Sequence, residues 1–385
     1  MKALVTTNHL TVFAGAALVA FEVAAALRDL GYRVDLCAGY ISAPMEDQIK
    51  LAQLPYYDLE TVPNIYEYDL VWAHHYIFPT LMASTPIAEL HLPRIIAVSL
   101  SPYASLEMPG AIVDLAERVV ANSQETADQL IKYGVNAEKI YVFDNATPTE
   151  FIASRPAIQS LKNILAVANH APPELEASFD LLRKDGINVT RIGIPHAQER
   201  VSPELIRQHD AVITIGKTVQ YSIQCETPPY IYDRFGGPGW LSLESASAAS
   251  YYNFSGRCCR RKLDADSIKK EVISGHADAS AKIVAIKKHF KSRFNLNIRL
   301  KEILERNVRA VQVDPKAAHC VRREGILAKE LSQLYNYPPT INMLKAQMAA
   351  LEKEIEARSS IIRDLCIEKF ELNQRILKIQ NEVKG

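Results

Sequence analysis

Short runs of branched apolar residues alternate with longer amphipathic stretches along most of the chain. The first forty residues show the repeating unit: residues 3–6 are a short buried strand, residues 14–30 are an amphipathic helix that Gly31 ends, and residues 33–38 are a second strand. Strands that alternate with helices in this way pair in parallel. The pattern therefore predicts an α/β protein built on a doubly wound parallel sheet.

The strand signals form two series, which indicates two lobes. The first series continues through residues 69–73, 94–100, 118–121 and 139–143. Proline and polar residues then collect at 148–156, and a second series follows at residues 163–167, 189–192, 211–215 and 229–232. The 385 residues suffice for two cores, because a single core seldom grows past about 250 to 300 residues. We predict two Rossmann-like lobes, residues 1–155 and 156–264.

Beyond residue 264 the strand signals stop. Residues 265–336 are charge-rich and helical, and we expect them to brace the lobes. Pro338 and Pro339 then break the helix, and a heptad pattern occupies residues 340–385. Eleven of its thirteen a and d positions between residues 341 and 383 are apolar. The pattern predicts a coiled coil that joins copies of this chain in a homo-oligomer, with a long helix packed on the protein's own surface as the alternative. No g and following e positions carry opposite charges, so the order of the oligomer stays open.

Composition and charge exclude several classes of protein. With 44 basic and 44 acidic side chains the chain lacks the basic excess expected of a nucleic-acid-binding protein. It opens as a strand rather than as a secretory signal, and its longest apolar run, residues 13–27, is broken by Glu22 and too short to span a bilayer. The six cysteines show no zinc spacing. We expect a cytoplasmic protein without a metal site or transmembrane segment, with peripheral attachment to the inner face of the membrane left open.

Ligands of such sheets bind at the carboxyl ends of the strands, where loops lead into helix N-termini. In the first lobe one such helix starts near Gly15, whose small size lets a ligand approach. Residues 69–73 run into His74 and His75, and one imidazole there could act as a base or hydrogen-bond donor toward a substrate hydroxyl. The alternatives are a packing role for the glycine and a buried, satisfied histidine for either ring.

The second lobe offers a more specific pattern. A buried strand ends in Gly216, Lys217 and Thr218 at a helix start, so that backbone N–H groups, a hydroxyl and an ammonium can converge on a phosphate, although the spacing is not that of a Walker loop. Asn169 and His170 follow the first strand of the same lobe. A glycine-rich loop is expected after a further strand, where Asp233 could hold a sugar or ribose hydroxyl; its residues of interest are Tyr232, Asp233, Gly236, Gly237 and Gly239.

These segments resemble bacterial glycosyltransferases of the GT-B fold, of the group 1 or family 4-like type found in surface-polysaccharide clusters. The resemblance covers residues 1–275 and rests on the segments DLVWAHHY, SLSPYASLE, VVANSQETADQLIKYGVNAEKIYVFDNATP, ILAVANHAPPEL, DAVITIGKTVQY, YDRFGGPGWL and NFSGR. It implies transfer of a sugar from a nucleotide-diphosphate sugar, a substrate rather than a cofactor, to a carbohydrate or lipid-linked acceptor in O-antigen or capsule synthesis. For such a transferase we expect His74, His75 and Glu107 to be the candidate catalytic residues and to face the acceptor.

The sequence also departs from the family pattern. Ala17 stands where the retaining members carry a glutamate, and Lys217 and Tyr221 occupy the region of their paired donor-site glutamates. Retaining and inverting chemistry therefore both stay open, and no residue is identified as the base. A leaving nucleotide diphosphate can be stabilised by helix N-termini and a cation without a bound metal. The alternatives are a non-catalytic GT-B scaffold that organises an assembly complex through its coiled coil and, with too few carboxylates in its favour, a nucleotide-sugar epimerase.

Overall fold

The computed structural model describes residues 1–62, 64–85, 92–104, 107–108, 110–194, 196–305 and 314–329, together with the single positions 348, 351, 354, 355, 358 and 365. The chain divides into two compact units, Met1–Lys329 and Glu330–Gly385. Both α/β lobes belong to the first unit.

The first lobe is a parallel sheet with helices on both faces. Its strands are β1 (Lys2–Leu10), β2 (Arg33–Ile41), β3 (Tyr56–Tyr57), β4 (Leu70–His74), β5 (Arg94–Ser99), β6 (Arg118–Ala121) and β7 (Ile140–Val142), in the order β3-β2-β1-β4-β5-β6-β7. Its helices are α1 (Gly15–Asp29), α2 (Met45–Leu51), α3 (Ile77–Ser84), α4 (Ile112–Leu115) and α5 (Gln124–Lys132). Val5 and Trp72 lie in the core on one face, and Leu4 and Val71 lie in the core on the other. Burial on both faces explains why these strands are continuous apolar runs.

The second lobe repeats the design with a smaller sheet. Its strands are β8 (Asn163–Val167), β9 (Asn188–Ile192), β10 (Ala211–Thr214), β11 (Pro229–Asp233) and β12 (Gly236–Trp240), in the order β12-β11-β10-β8-β9. Its helices are α6 (Pro173–Lys184), α7 (Pro203–Arg207), α8 (Lys217–Gln224) and α9 (Leu243–Tyr251). The pairs β9/β8, β8/β10 and β10/β11 are parallel, whereas β12 is an antiparallel edge strand.

The helical region after the second sheet divides between the two lobes. Helix α10 (Ala265–Phe290) buries Ile268 and Ile286 against the second lobe. The chain then crosses back, and Leu296 donates its N–H to the carbonyl of Thr147 over 2.9 Å. Helix α11 (Leu296–Glu305) packs into the core of the first lobe, and so does a further helix of residues 315–329 through Val321.

Side-chain pairs also connect the lobes directly. Arg257 forms a bidentate ion pair with Glu125 of α5, with a closest approach of 2.6 Å. Tyr251 donates a hydrogen bond to Asp128 on the same helix over 2.6 Å. These contacts join α5 of the first lobe to the segment around α9 of the second.

The sequence predicted the two parallel-sheet lobes correctly, and every predicted strand is present, with β3 and β12 added. The predicted coiled coil lies outside the described residues, apart from the six single positions, which are helical with exposed side chains. Within the part of the chain that the structure covers, none of the helices combines the length and the apolarity that crossing a bilayer requires.

Candidate functional site

A cavity of about 420 Å³ lies at the junction of the two lobes. Its volume is within the range of small-molecule sites. The first lobe contributes the start of α1 and residues that follow β5, β6 and β7, and the second lobe contributes the loops that follow β8, β9 and β10. The cavity therefore occupies the carboxyl ends of both parallel sheets, as the sequence predicted.

Two helices point N-termini without side-chain caps at this cavity. Helix α1 begins at Gly15 and α8 begins after Gly216, and neither start has a capping side chain or an acidic residue in its first turn. Gly15, Ala16, Gly216 and Thr218 all line the cavity. The first N–H groups of a helix lack intrahelical acceptors and carry the positive end of the helix dipole. Together the two helix starts form an environment that favours an anion such as a diphosphate.

Gly216 permits the backbone turn that starts α8. Its φ is +60°, and a Cβ there would meet nothing nearer than the Asn253 side chain at 3.8 Å. The positive φ rather than a lack of room therefore explains the glycine. The hydroxyl of Thr218, one residue into the helix, makes no hydrogen bond within the described residues and is available to a ligand.

The ammonium of Lys217 is buried in a cluster that joins the two lobes. Its Nζ lies 2.8 Å from Oε2 of Glu22, on α1, and donates to the carbonyls of Asn145 and Ala146 over 3.1 Å each. Tyr221, one turn further along α8, donates its hydroxyl to Oε1 of the same glutamate. Burial lowers the pKa of Lys217, an effect that Glu22 opposes. Lys217 thus lines the cavity, as predicted, but its charge is already neutralised by a protein carboxylate.

His75 and Glu107 form a pair on the first-lobe side. The Nδ1 atom of His75 accepts the N–H of Asn8 over 3.2 Å, which leaves the proton on Nε2, and Nε2 lies 3.0 Å from Oε1 of Glu107. The other oxygen of Glu107 accepts the N–H of Leu100 over 3.1 Å. Only Glu107 of the pair lines the cavity. His75 has a φ of +58°, an uncommon conformation for a non-glycine residue, at the turn that follows β4.

His74 is a core residue rather than a cavity residue. It is fully buried, its Nε2 accepts the indole N–H of Trp72 over 2.9 Å, and it does not line the cavity. Burial lowers its pKa well below the usual value, and His75 adds to the effect. Strand β4 ends at His74, and His75 is the first residue of the turn that follows, so the two rings lie in different environments. For His74, the structure therefore supports the alternative given above, a buried core histidine rather than a base.

The glycine-rich segment after Asp233 is a strand and not a loop. Gly236, Gly237 and Gly239 belong to β12 and do not line the cavity. Their lack of side chains serves close packing: a Cβ would lie 2.0 Å from the carbonyl oxygen of Arg261 at position 236, 2.0 Å from that of Ile231 at position 237, and 1.8 Å from Oε1 of Glu271 at position 239.

Tyr232 and Asp233 line the cavity, but their polar groups already have protein partners. Asp233 accepts hydrogen bonds from the hydroxyl of Ser255 over 2.6 Å, the N–H of Gly256 over 3.1 Å and the N–H of Phe235 over 2.8 Å. The Tyr232 hydroxyl accepts the N–H of Leu263 over 2.9 Å. In this arrangement Asp233 fixes the 255–256 backbone, and neither of its oxygens is left without a partner.

Asn169 and His170 lie where the sequence placed them. Both line the cavity at the carboxyl end of β8, and both are exposed. Asn169 accepts the N–H of Ile194 over 3.2 Å, which ties its loop to the one after β9. Among the residues that the structure describes, no three His, Cys, Asp or Glu side chains come together as a metal site.

Sequence reasoning missed three residues that shape the site. Glu22 neutralises Lys217, and the only signal for it was a single acid inside an apolar run. Asn145 donates to Asn253 over 3.3 Å, and this pair links the lobes at the wall of the cavity. Both asparagines have positive φ, +46° and +49°, a conformation that asparagine adopts more readily than most residues. Both lie in segments on which the family resemblance rests, but neither of them was given a role in the site from the sequence.

Two doubly wound lobes that face each other across such a cavity define the GT-B fold. Residues 13–151 match the family model described as Glycosyltransferase Family 4. Among solved structures, HepE of Anabaena in complex with UDP and glucose is similar with a TM-score of 0.51 at 14% identity, covering 79% of this chain and 98% of that chain. A glycosyltransferase from Rickettsia africae has a TM-score of 0.50 at 12% identity, covering 81% and 99%. No curated protein matches the sequence. At these identities, the structural similarities establish the fold.

Proposed function

We propose that this protein transfers a sugar from a nucleotide-diphosphate sugar to a carbohydrate or lipid-linked acceptor. The observation that carries the proposal is the cavity between the lobes, where the uncapped starts of α1 and α8 face the same space. A sugar transferase needs a site for a diphosphate leaving group next to a site for a hydroxyl nucleophile. In this proposal the second-lobe wall of the cavity holds the diphosphate and the first-lobe wall holds the acceptor hydroxyl.

The leaving group would be stabilised by the second lobe. As the sugar–oxygen bond breaks, negative charge develops on the diphosphate, and preorganised donors aimed at that charge lower the barrier. The N–H groups at the start of α8 and the Thr218 hydroxyl supply such donors without a metal. The Lys217 ammonium adds positive potential beside the cavity, reduced by its pairing with Glu22.

The acceptor would be positioned by the first lobe. Glu107 is the carboxylate that this lobe directs into the cavity, and His75 and the N–H of Leu100 fix both of its oxygens. A carboxylate held in this way can accept a hydrogen bond from an acceptor hydroxyl and orient it. The acceptor class and a role in surface-polysaccharide synthesis belong to the proposal through the family resemblance alone.

The complexes of HepE suggest the first donors to test, since the same protein is described with UDP and glucose and with UDP-glucose. UDP-glucose, other UDP-sugars and sugar nucleotides of the other bases would be offered to the purified protein. A ligand that binds the folded state raises the melting temperature according to its concentration relative to Kd. The proposal predicts a shift with at least one donor together with release of the nucleoside diphosphate. A panel without any shift would contradict it.

A second candidate is a GT-B scaffold that binds a nucleotide sugar without transferring it. The observation in its favour is the Lys217–Glu22 pair, which removes the net charge of a cation beside the expected diphosphate. Release of the nucleoside diphosphate distinguishes the scaffold from the transferase. A scaffold shows the thermal shift without release of nucleoside diphosphate, even to water as the acceptor, whereas a transferase shows both.

A further inference from the structure

The helix of residues 315–329 lies beyond the matched family segment and packs against the first lobe. Ala318 and Val321 are buried in that lobe's core. Gly325 lies directly on α3, where a Cβ would stand 1.9 Å from the carbonyl oxygen of Pro79. Only glycine allows so close an approach of the two helix backbones. The position of this helix on the lobe is therefore sterically defined.

Glu324, next to this close contact, reaches across to another part of the lobe. Its Oε2 accepts the N–H of Ala111 over 2.8 Å. Gly110 gives the carboxylate its space, since a Cβ there would lie 1.8 Å from Oε1 of Glu324. Burial raises the pKa of Glu324. Gly325 thus lets the helix approach α3, and Gly110 leaves room for the Glu324 carboxylate to reach the N–H of Ala111.

That N–H lies at the end of the segment that carries Glu107. Ala111 directly precedes α4, and residues 100–111, of which 105, 106 and 109 lie outside the described residues, connect β5 to it. The first lobe itself holds this segment through Glu107 and through the carbonyl of Met108, which accepts the hydroxyl of Tyr76 over 3.0 Å. Glu324 adds a further hydrogen bond to this segment, from the helix of residues 315–329.

We infer that the 315–329 helix positions the acceptor side of the cavity, and that Glu324 does so by holding Ala111 and with it the segment that bears Glu107. This inference rests on the proposed function, because it gives Glu107 its task. Glu324 is a positioning residue: it does not line the cavity and acts through the backbone. The position of Glu107 matters for the rate, because a displacement of a positioning group by about 1 Å can slow a reaction about a hundredfold.

The test compares four variants of the full chain. Glu324→Ala removes the acceptor of the Ala111 N–H, and Glu324→Asp keeps the charge but shortens the reach, which makes it the milder probe if the alanine variant folds poorly. Glu324→Gln retains an oxygen that can accept the bond and serves as the rescue. Arg323→Ala, at an exposed neighbour on the same helix, is the matched control. Three readouts are taken: hydrogen exchange of residues 100–115, the Kd for UDP, and the rate of UDP release from UDP-glucose.

For Glu324→Ala and Glu324→Asp we expect exchange at residues 100–115 to rise about tenfold, UDP release to slow at least fivefold, and the Kd for UDP to stay within about twofold. Glu324→Gln and Arg323→Ala should resemble the wild type. Unchanged exchange at this segment, or a loosened segment with unchanged release, would overturn the inference. Failure of the proposed function looks different, because then the wild-type protein itself does not release UDP, whether or not it binds it.

Discussion

The carboxylate of Glu22 in the first lobe lies 2.8 Å from the ammonium of Lys217 in the second, and both side chains are buried. The pair is part of a small network, because Tyr221 also donates to Glu22 and Lys217 also donates to the carbonyls of Asn145 and Ala146. Burial raises the pKa of Tyr221 well above its usual value, with Glu22 contributing. The Lys217 ammonium, which was assigned to a ligand from the sequence, thus also links the two lobes through its ion pair with Glu22.

The first prediction concerns this pair. Glu22→Gln leaves the Lys217 ammonium buried without its counter-ion, and Lys217→Met leaves the Glu22 carboxylate to the Tyr221 hydroxyl and to Arg200, whose guanidinium lies 3.9 Å away. Breaking a buried ion pair from one side costs about 3–5 kcal/mol, whereas replacing both partners costs much less. Urea unfolding of the two single variants and of the double variant measures these values. Additive losses in the double variant would show that the two side chains do not interact.

The second prediction concerns pH and His74. Burial lowers its pKa in the folded protein, so between that value and about 6.5 the unfolded chain binds more protons than the folded one. The free energy of unfolding must therefore decrease as the pH falls below about 6.5, by roughly 1–2 kcal/mol between pH 7 and pH 5 from this residue.

Urea unfolding of the wild type and of His74→Gln at both pH values isolates that contribution. Burial also lowers the pKa of His276, which is present in both proteins and cancels in the comparison. The variant should lose less stability than the wild type on acidification. His289→Gln, at an exposed position of α10, is the control and should behave as the wild type does. Equal losses in all three proteins would contradict the assignment of the acid-sensitive group.

The sequence predicted the fold well for a physical reason. Parallel strands buried on both faces are continuous apolar runs, and their rhythm identifies each one without tertiary information. The exceptions follow from the same rule. Strand β3 has two half-buried tyrosines, and β12, GGPGW, consists mostly of residues that disfavour strands. Gly236 and Gly239 are required by contacts with residues 261 and 271, which only the folded chain brings near, and Gly237 by its contact with Ile231 of the neighbouring strand.

The candidate site was predictable to a lesser degree. Loops at the carboxyl ends of strands could be located, so Gly15, Asn169, Gly216 and Thr218 were found at the cavity. What each polar group does there depends on partners distant in sequence. Lys217 meets Glu22, some 200 residues away, and Asp233 is occupied by residues 255 and 256, so neither role could be inferred from local pattern.

The third prediction separates backbone strain from steric contact in β12. Gly236 and Gly134 share a φ of +89°, but a Cβ at Gly134 meets nothing within 4 Å, whereas one at Gly236 lies 2.0 Å from a backbone oxygen. Gly134→Ala should therefore lose about 1–2 kcal/mol for its backbone conformation. Gly236→Ala should lose a further ~1–3 kcal/mol for the forced contact. Equal losses, measured by urea unfolding, would argue against the close packing of β12.

The fourth prediction concerns the second unit. Met348, Leu351, Ile355 and Leu365 are helical and between 58% and 63% exposed, and they fall on a and d positions of the heptad pattern. We propose that they bind the same seam of further copies of this chain. Leu351→Glu with Ile355→Glu should reduce the mass found by light scattering to that of a monomer without lowering the melting temperature of the lobes. Glu354→Gln, on the same helix, should keep the oligomer. A wild-type chain that is monomeric would contradict the coiled coil.

The most direct test of the account is the affinity for UDP of two variants at Gly15, measured by calorimetry. A Cβ at Gly15 meets nothing within 4 Å, and an acid in the first turn of a helix is compatible with its dipole, so Gly15→Glu should fold. Its carboxylate would occupy the anion site between the lobes, and Gly15→Gln adds the same bulk without the charge. We predict that the wild type binds a nucleoside diphosphate, with UDP the first to be tried and those of the other bases next, and that Gly15→Glu weakens this binding at least tenfold more than Gly15→Gln does, a difference of about 1.4 kcal/mol. Equal affinities of the two variants, or a wild type that binds none of these nucleoside diphosphates, would contradict the assignment of this cavity to the nucleotide diphosphate.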